Sequence, residues 1–78
     1  MTANIRLSLS QRERQCLLWI ARGKTYLEVS MILGIRYGTV KSNLDSARYK
    51  LNCGTLAGAT AIAVAQGILT REDLESRE

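Results

Sequence analysis

The side chains that could do chemistry in this chain favour binding over catalysis. Hydroxyl residues are frequent, but there is no histidine, so no imidazole base is present to activate a hydroxyl as a nucleophile. Gly23-Lys24-Thr25 ends like a phosphate-binding loop, yet Leu18 stands where that motif requires its first glycine. Two cysteines without histidine are too few for a structural zinc site. We therefore predict no catalytic residue, no metal site and no cofactor.

A set of polar side chains suited to reading DNA lies within residues 41–45. Lys41, Ser42 and Asp45 fall on one side of a helix at about 100° per residue. Short polar side chains let a helix approach base edges, lysine can donate to guanine, and a carboxylate can accept from the cytosine amino group. We predict that these three residues read bases, the alternative being an ordinary solvated helix surface.

The charge distribution also favours a polyanionic partner. The 78 residues carry a net charge of +4, and residues 1–54 hold nine Lys or Arg against three Asp or Glu. Residues 55–78 hold two basic side chains against four acidic ones. A basic body with an acidic end suits nucleic acid, whereas a merely solvated basic surface is the other interpretation.

Helix-start signals divide the chain into segments that must position these residues. There is no proline and no alternating strand pattern, so we predict an all-α fold. Capping boxes, in which a hydroxyl and a carboxylate bond each other's backbone amides, occur at Ser10–Glu13 and Thr25–Glu28. Thr55 is the predicted N-cap of a fourth segment covering about residues 56–68.

The third segment, about residues 38–51, is the most informative of the four. Its apolar residues recur at i, i+4, i+7 and i+11, which makes one narrow line along a helix. These residues are Val40, Leu44, Ala47 and Leu51. A short turn beginning at Gly34 joins this segment to the second one. Two helices joined in this way have the layout of a helix-turn-helix, whose second helix enters the DNA major groove.

Three further residues are expected in or against the core. Cys16 and Cys53 are predicted to be reduced packing residues, which indicates the cytoplasm as the location. Glu13 lies on the apolar side of the first segment. We expect it to pair with a basic residue of the third helix, and the sequence leaves Arg48 and Lys50 both open.

Several motifs resemble the LuxR-type (GerE-like) helix-turn-helix domain, in a fixed order from about Leu9 to Leu69. The matching stretches are Leu9-Ser10-Gln11-Arg12-Glu13-Arg14, Leu17, Trp19, Gly23-Lys24-Thr25, Ile32-Leu33-Gly34-Ile35, Thr39-Val40-Lys41, Lys50-Leu51 and Ala63-Val64-Ala65-Gln66-Gly67-Ile68-Leu69. The resemblance implies a four-helix domain of bacterial transcription regulators, with a helix-turn-helix in helices two and three. The fourth helix commonly mediates dimerisation in this family. Trp19 and the Arg36-Tyr37 turn point to its quorum-sensing branch.

The resemblance also implies roles for individual positions. Lys41, Ser42 and Asp45 fall where the recognition helix of the family meets the major groove. The start of the second helix would lie near the DNA backbone, and the predicted phosphate contacts are Lys24, Thr25, Tyr26, Arg36 and Arg48. The predicted dimer contacts on the fourth helix are Ala61, Val64 and Ala65.

Three positions depart from the family pattern, one of them Asn43, where many members have histidine. Many members have serine, a natural N-cap, where this chain has Arg36. Arginine cannot accept a backbone hydrogen bond, so the cap is lost or comes from elsewhere. Some quorum-sensing members have arginine where this chain has Asp45. A carboxylate at that position repels phosphate, so no base preference can be carried over from the family.

These observations predict one domain with a short extension at each end. Residues 1–8 are predicted to be an N-terminal arm or linker, residues 9–69 the helix-turn-helix domain, and residues 70–78 an acidic C-terminal tail. The predicted partners are double-stranded DNA, a second copy of the chain on an inverted repeat, and RNA polymerase, with no membrane. The alternative function is a protein-interaction module, or an antagonist that forms mixed dimers with a related regulator through the fourth helix.

Overall fold

A computed structural model of the chain describes residues 9–75. The predicted arm at 1–8 and the last three residues of the predicted tail therefore lie outside the described residues. The helices in chain order are α1 (Gln11–Ala21), α2 (Tyr26–Leu33), α3 (Tyr37–Lys50), α4 (Leu56–Ala65) and α5 (Arg71–Leu74). Residues 9–75 contain no strand, so the all-α prediction is confirmed. None of these helices is both long and apolar enough to cross a bilayer.

The helix starts form where the capping residues predict them. The Ser10 hydroxyl accepts from the Glu13 amide at 3.0 Å, and the Glu13 carboxylate accepts from the Ser10 amide at 2.8 Å. The box at Thr25–Glu28 has the same two bonds. By contrast, the N-cap of α3 is Arg36, which makes no side-chain cap hydrogen bond, because guanidinium has no acceptor atom.

Glycines with a positive φ angle end α1 and α4. Gly23 has a φ of 92° and Gly67 a φ of 77°, a conformation that side chains with a Cβ rarely adopt. After Gly67 the Ile68 amide donates back to the Ala63 carbonyl at 2.8 Å. This turn ends α4 at Ala65, three residues before the predicted end at Ile68, and returns the chain to the core.

The core lies where α1 packs against α3 and α4, and α2 packs against α3 and α1. The predicted apolar line of α3 is buried along its whole length, which confirms that face assignment. Val40, Leu44 and Ala47 are fully buried and Leu51 is 7% exposed. Cys16 is fully buried in this core and Cys53 is half-buried, and both are free thiols.

Part of the predicted acidic tail is folded onto α1. Residues 71–74 form a helical turn with its own capping box at Thr70–Asp73. Arg14 of α1 donates to the Asp73 carboxylate at 2.6 Å, and the Arg22 guanidinium donates to the Asp73 carbonyl at 2.7 Å. The tail therefore adds contacts to the domain as far as the structure describes it.

Candidate nucleic-acid interface

The outward face of α3 carries the three predicted base-reading residues side by side. Lys41 and Ser42 are exposed and Asp45 is half-exposed, on the side opposite the buried line. The Lys41 Nζ atom lies 3.2 Å from Asp45 Oδ2. Asp45 Oδ1 accepts from Arg48 Nη2 at 2.5 Å. The structure therefore brings the predicted residues together and pairs two of them within the helix.

Arg48 is held more firmly than a surface arginine, although it was predicted to contact phosphate. Its second amino group donates to the Gly54 carbonyl at 2.8 Å. Its Nε atom is buried without a hydrogen-bond partner, and the side chain is 31% exposed. Hydrogen bonds from Arg48 and then Lys41 hold the pKa of Asp45 below its ordinary value, against the opposite effect of burial.

The starts of α2 and α3 meet at a shallow groove beside this face. The groove has a volume of about 500 Å³ and is lined by Ile20, Lys24, Thr25, Tyr26, Leu27 and Tyr37. The rings of Tyr26 and Tyr37 lie 5.7 Å apart, tilted by 41°. Three of the predicted phosphate contacts are thus gathered in one place. Tyr37 was not among the predicted phosphate contacts, because it lies beside Tyr26 only where the fold brings the two helix starts together.

Lys24 and Arg36 are the exposed cations of this region. Arg36 directly precedes α3, and Lys24 precedes the N-cap of α2. The Thr25 hydroxyl accepts from the Glu28 amide at 3.1 Å and keeps its own proton to donate. A helix N-terminus attracts anions through its unpaired amides and dipole. The arrangement suits two phosphates, one at the start of each helix of the pair.

A buried carboxylate network fixes the orientation of α3 on α1. Glu13 Oε2 accepts from the Ser46 hydroxyl at 2.6 Å, and Glu13 Oε1 accepts from Lys50 Nζ at 2.9 Å. Lys50 is therefore the partner of Glu13, and Arg48 is not. Burial raises the pKa of Glu13, but the hydrogen bonds from Ser46, the Ser10 amide and Lys50 outweigh it and lower this pKa to about 2.

Two apolar surfaces remain uncovered within residues 9–75. On α4 the three predicted dimer residues Ala61, Val64 and Ala65 are all exposed. On α2, Leu27 is 57% and Met31 67% exposed. The buried residues of this short helix are Val29 and Ser30.

The geometry of α2 and α3 defines the class of domain. Helices α2 and α3 are joined by three residues, 34–36, and α3 buries one face while it presents a polar face to solvent. That arrangement is a helix-turn-helix domain.

Comparison with known proteins identifies the family. The sequence profile of the family described as "Bacterial regulatory proteins, luxR family" (GerE) matches residues 7–63. The chain belongs to this family, as the motifs between Leu9 and Leu69 predicted. It is therefore a helix-turn-helix domain of a kind that acts in DNA-binding regulation of transcription.

Individual relatives are transcriptional regulators, one of them quorum sensing-dependent by name. The chain is 40% identical over 67 residues to the quorum sensing-dependent transcriptional regulator VjbR of Brucella abortus, covering 86% of this chain and 26% of that protein. It is 38% identical over 63 residues to the transcriptional activator protein AnoR of Acinetobacter nosocomialis, covering 81% of this chain and 26% of AnoR. The chain thus spans about a quarter of the length of these curated relatives.

Proposed function

We propose that this domain binds double-stranded DNA sequence-specifically and regulates transcription, with α3 in the major groove. The observation that carries this proposal is the polar, exposed face of α3, flanked by cations at the starts of both helices of the pair. Lys41, Ser42 and Asp45 read base edges in this arrangement. Lys24 and Arg36 bind phosphates on either side of the base-reading face. Such charged contacts to phosphate set the register of the protein on the duplex.

The groove that contains Tyr26 and Tyr37, called here the tyrosine groove, supports the same docking. Tyr26 and Thr25 offer hydroxyl donors beside Lys24, and hydroxyl groups are common partners of phosphate oxygens. Arg48 is assigned to the same face, although its hydrogen bonds to Asp45 and Gly54 direct it along the helix.

Lys41→Ala and Arg36→Ala separate base reading from phosphate binding. Lys41→Ala should lower the discrimination between a selected duplex and a scrambled one by about 1–3 kcal/mol, because a base contact is lost. Arg36→Ala should weaken both duplexes alike and reduce the slope of log affinity against log salt by about one unit. Fluorescence anisotropy with the two duplexes over a salt series measures both effects.

Arg71→Ala is the matched control, because it removes the same charge from the exposed surface of α5. It should leave the discrimination and the salt slope close to those of the unchanged chain. Equal loss on both duplexes for Lys41→Ala would remove Lys41 from the base-reading set. Absence of salt-dependent binding to any duplex would favour the protein-interaction module instead.

We also propose that two copies bind an inverted repeat through α4. The exposed residues Ala61, Val64 and Ala65 lie at i, i+3 and i+4, so they share one side of the helix. Small side chains there allow the same helix of a second chain to approach closely, and a two-fold contact matches a palindromic site. The patch is small, so pairing is expected on DNA rather than in free solution.

Val64→Glu is expected to abolish cooperative binding of the second copy. Val64 is 40% exposed, so the fold tolerates the change, while two carboxylates facing each other across the two-fold axis repel. Sedimentation velocity with a palindromic duplex gives the stoichiometry at each concentration. Gln11→Glu, which adds the same charge at the exposed start of α1, should keep the cooperativity. Unchanged cooperativity in Val64→Glu would refute the α4 interface.

The remaining partners follow from this function. AnoR is a transcriptional activator protein by name, and an activator acts on RNA polymerase, so we assign RNA polymerase as a further partner of the whole regulator. Bacterial DNA lies in the cytoplasm, which is where a DNA-bound regulator and the two free thiols of Cys16 and Cys53 belong.

A further inference from the structure

A carboxylate stands in the middle of the base-reading face, between two cations. Asp45 pairs with Lys41 at 3.2 Å, one turn before it, and with Arg48 at 2.5 Å, one turn after it. The three side chains form a row along α3. A carboxylate in this position repels the phosphates that a DNA-binding face must attract, so its presence there needs an explanation.

The two ion pairs differ in how firmly they are held. Lys41 is 59% exposed and has Asp45 as its partner, an i,i+4 pair of the weak kind found on helix surfaces. Arg48 is 31% exposed and also donates to the Gly54 carbonyl. Lys41 can therefore leave Asp45 readily, whereas Arg48 keeps the carboxylate in place on the helix.

Whether Lys41 can leave Asp45 depends on which hydrogen-bonding groups the DNA presents. When Lys41 leaves for an acceptor on the DNA, Asp45 Oδ2 loses its donor. Phosphate oxygens are acceptors and cannot replace that donor. In the major groove, the N4 amino group of cytosine and the N6 amino group of adenine are donors and can replace it. At a base edge with such an amino group, Lys41 bonds the DNA and the amino group donates to Asp45. At a phosphate, Asp45 is left without that donor and is repelled by the phosphate charge.

Resting on the proposed function, we propose that Asp45 is a specificity-determining residue that acts mainly against non-cognate DNA. Its pairing with Lys41 competes with the binding of Lys41 to phosphates. Lys41 leaves Asp45 where an amino group of a base replaces the lysine as donor. Arg48 is a positioning residue for this role, since it acts through the carboxylate. Specificity then arises from a penalty on wrong sites as well as from contacts at the right one.

The test compares two duplexes, one selected from a random library by the unchanged chain and one with its sequence scrambled. Asp45→Asn should bind the scrambled duplex about five- to tenfold more tightly at 0.1 M salt, because Lys41 is free for phosphate, with a salt slope steeper by about 0.9. The selected duplex should gain nothing or lose affinity, since the amide is a poorer acceptor. The ratio of the two affinities therefore falls at least fivefold.

Asp73→Asn is the matched control, since it makes the same change in net charge and breaks the Arg14 pair at 2.6 Å on α5. It should leave the affinity ratio within twofold. Arg48→Ala should lower the ratio in the unchanged chain and have no further effect in the Asp45→Asn background, which a purely structural role of Arg48 would not produce.

The outcomes separate this proposal from the function it rests on. If the unchanged chain selects no sequence, the proposed function fails. If it selects a sequence, but Asp45→Asn and Asp73→Asn alter both duplexes by the same factor, the function stands and the role of Asp45 is overturned. An affinity ratio that falls in Asp45→Asn but not in Asp73→Asn, through tighter binding of the scrambled duplex, supports the proposal.

Discussion

Replacing Glu13 with alanine is expected to lower the free energy of unfolding by about 3 kcal/mol, the loss typical of breaking a buried ion pair by removing one partner. The side chain is 9% exposed and accepts from the Ser10 amide, the Ser46 hydroxyl and Lys50. Removing it leaves all three donors without this acceptor. In a domain of this size, such a loss corresponds to a melting temperature roughly 12–24 °C lower.

Glu28→Ala is the natural control for this prediction. Glu28 occupies the same capping-box position at the start of α2, but it is exposed. Its loss should lower the free energy of unfolding by much less than the loss of Glu13, because only a cap is removed. Urea unfolding followed by circular dichroism measures both variants. Equal losses in the two variants would show that the contacts of Glu13 with α3 contribute nothing to stability.

Acid is expected to weaken the fold by protonating the same carboxylate. The pKa of Glu13 is about 2 in the folded chain against an ordinary value of 4.5. Since the folded value is the lower one, its contribution is complete above pH 4.5 and is lost as the pH falls from there towards 2. By linkage, about 2 kcal/mol should already be lost at pH 3.

Glu13→Gln isolates this contribution from the other acidic groups. The pKa values of Glu28, Asp45 and Asp73 are also lowered, by hydrogen bonds from backbone or basic groups, so some loss in acid persists in any variant. The fall in unfolding free energy between pH 6 and pH 3 should be about 2 kcal/mol smaller in Glu13→Gln than in the unchanged chain. Identical pH profiles would contradict the assignment.

The sequence predicts the fold well because its signals are local. A capping box needs only residues three apart, and the buried line from Val40 to Leu51 needs only the helical period, so both are visible without a structure. The polar side of α3 follows from the same period. The helical period therefore predicts one shared face for the three proposed base-reading residues.

What the sequence leaves open depends on contacts between distant parts of the chain. Glu13 pairs with Lys50 because α1 crosses α3 in one particular rotation, which no spacing reveals. Arg48 donates to both Asp45 and Gly54, and the second bond requires the loop carbonyl of Gly54 to lie beside α3. α4 ends early because the chain turns at Gly67 and returns to the core. The tyrosine groove likewise exists only where two helix starts meet.

The bond between Glu13 and α3 has a consequence for genetics. It holds α3 against α1, so under the proposed function a change at Ser10 or Glu13 is expected to alter regulation without removing a DNA contact. A screen for bacteria that have lost the response would recover such alleles alongside those at Lys41 and Arg36. Immunoblotting separates the two groups, because alleles in the network reduce the amount of regulator in the cell, whereas alleles on the DNA face leave it unchanged.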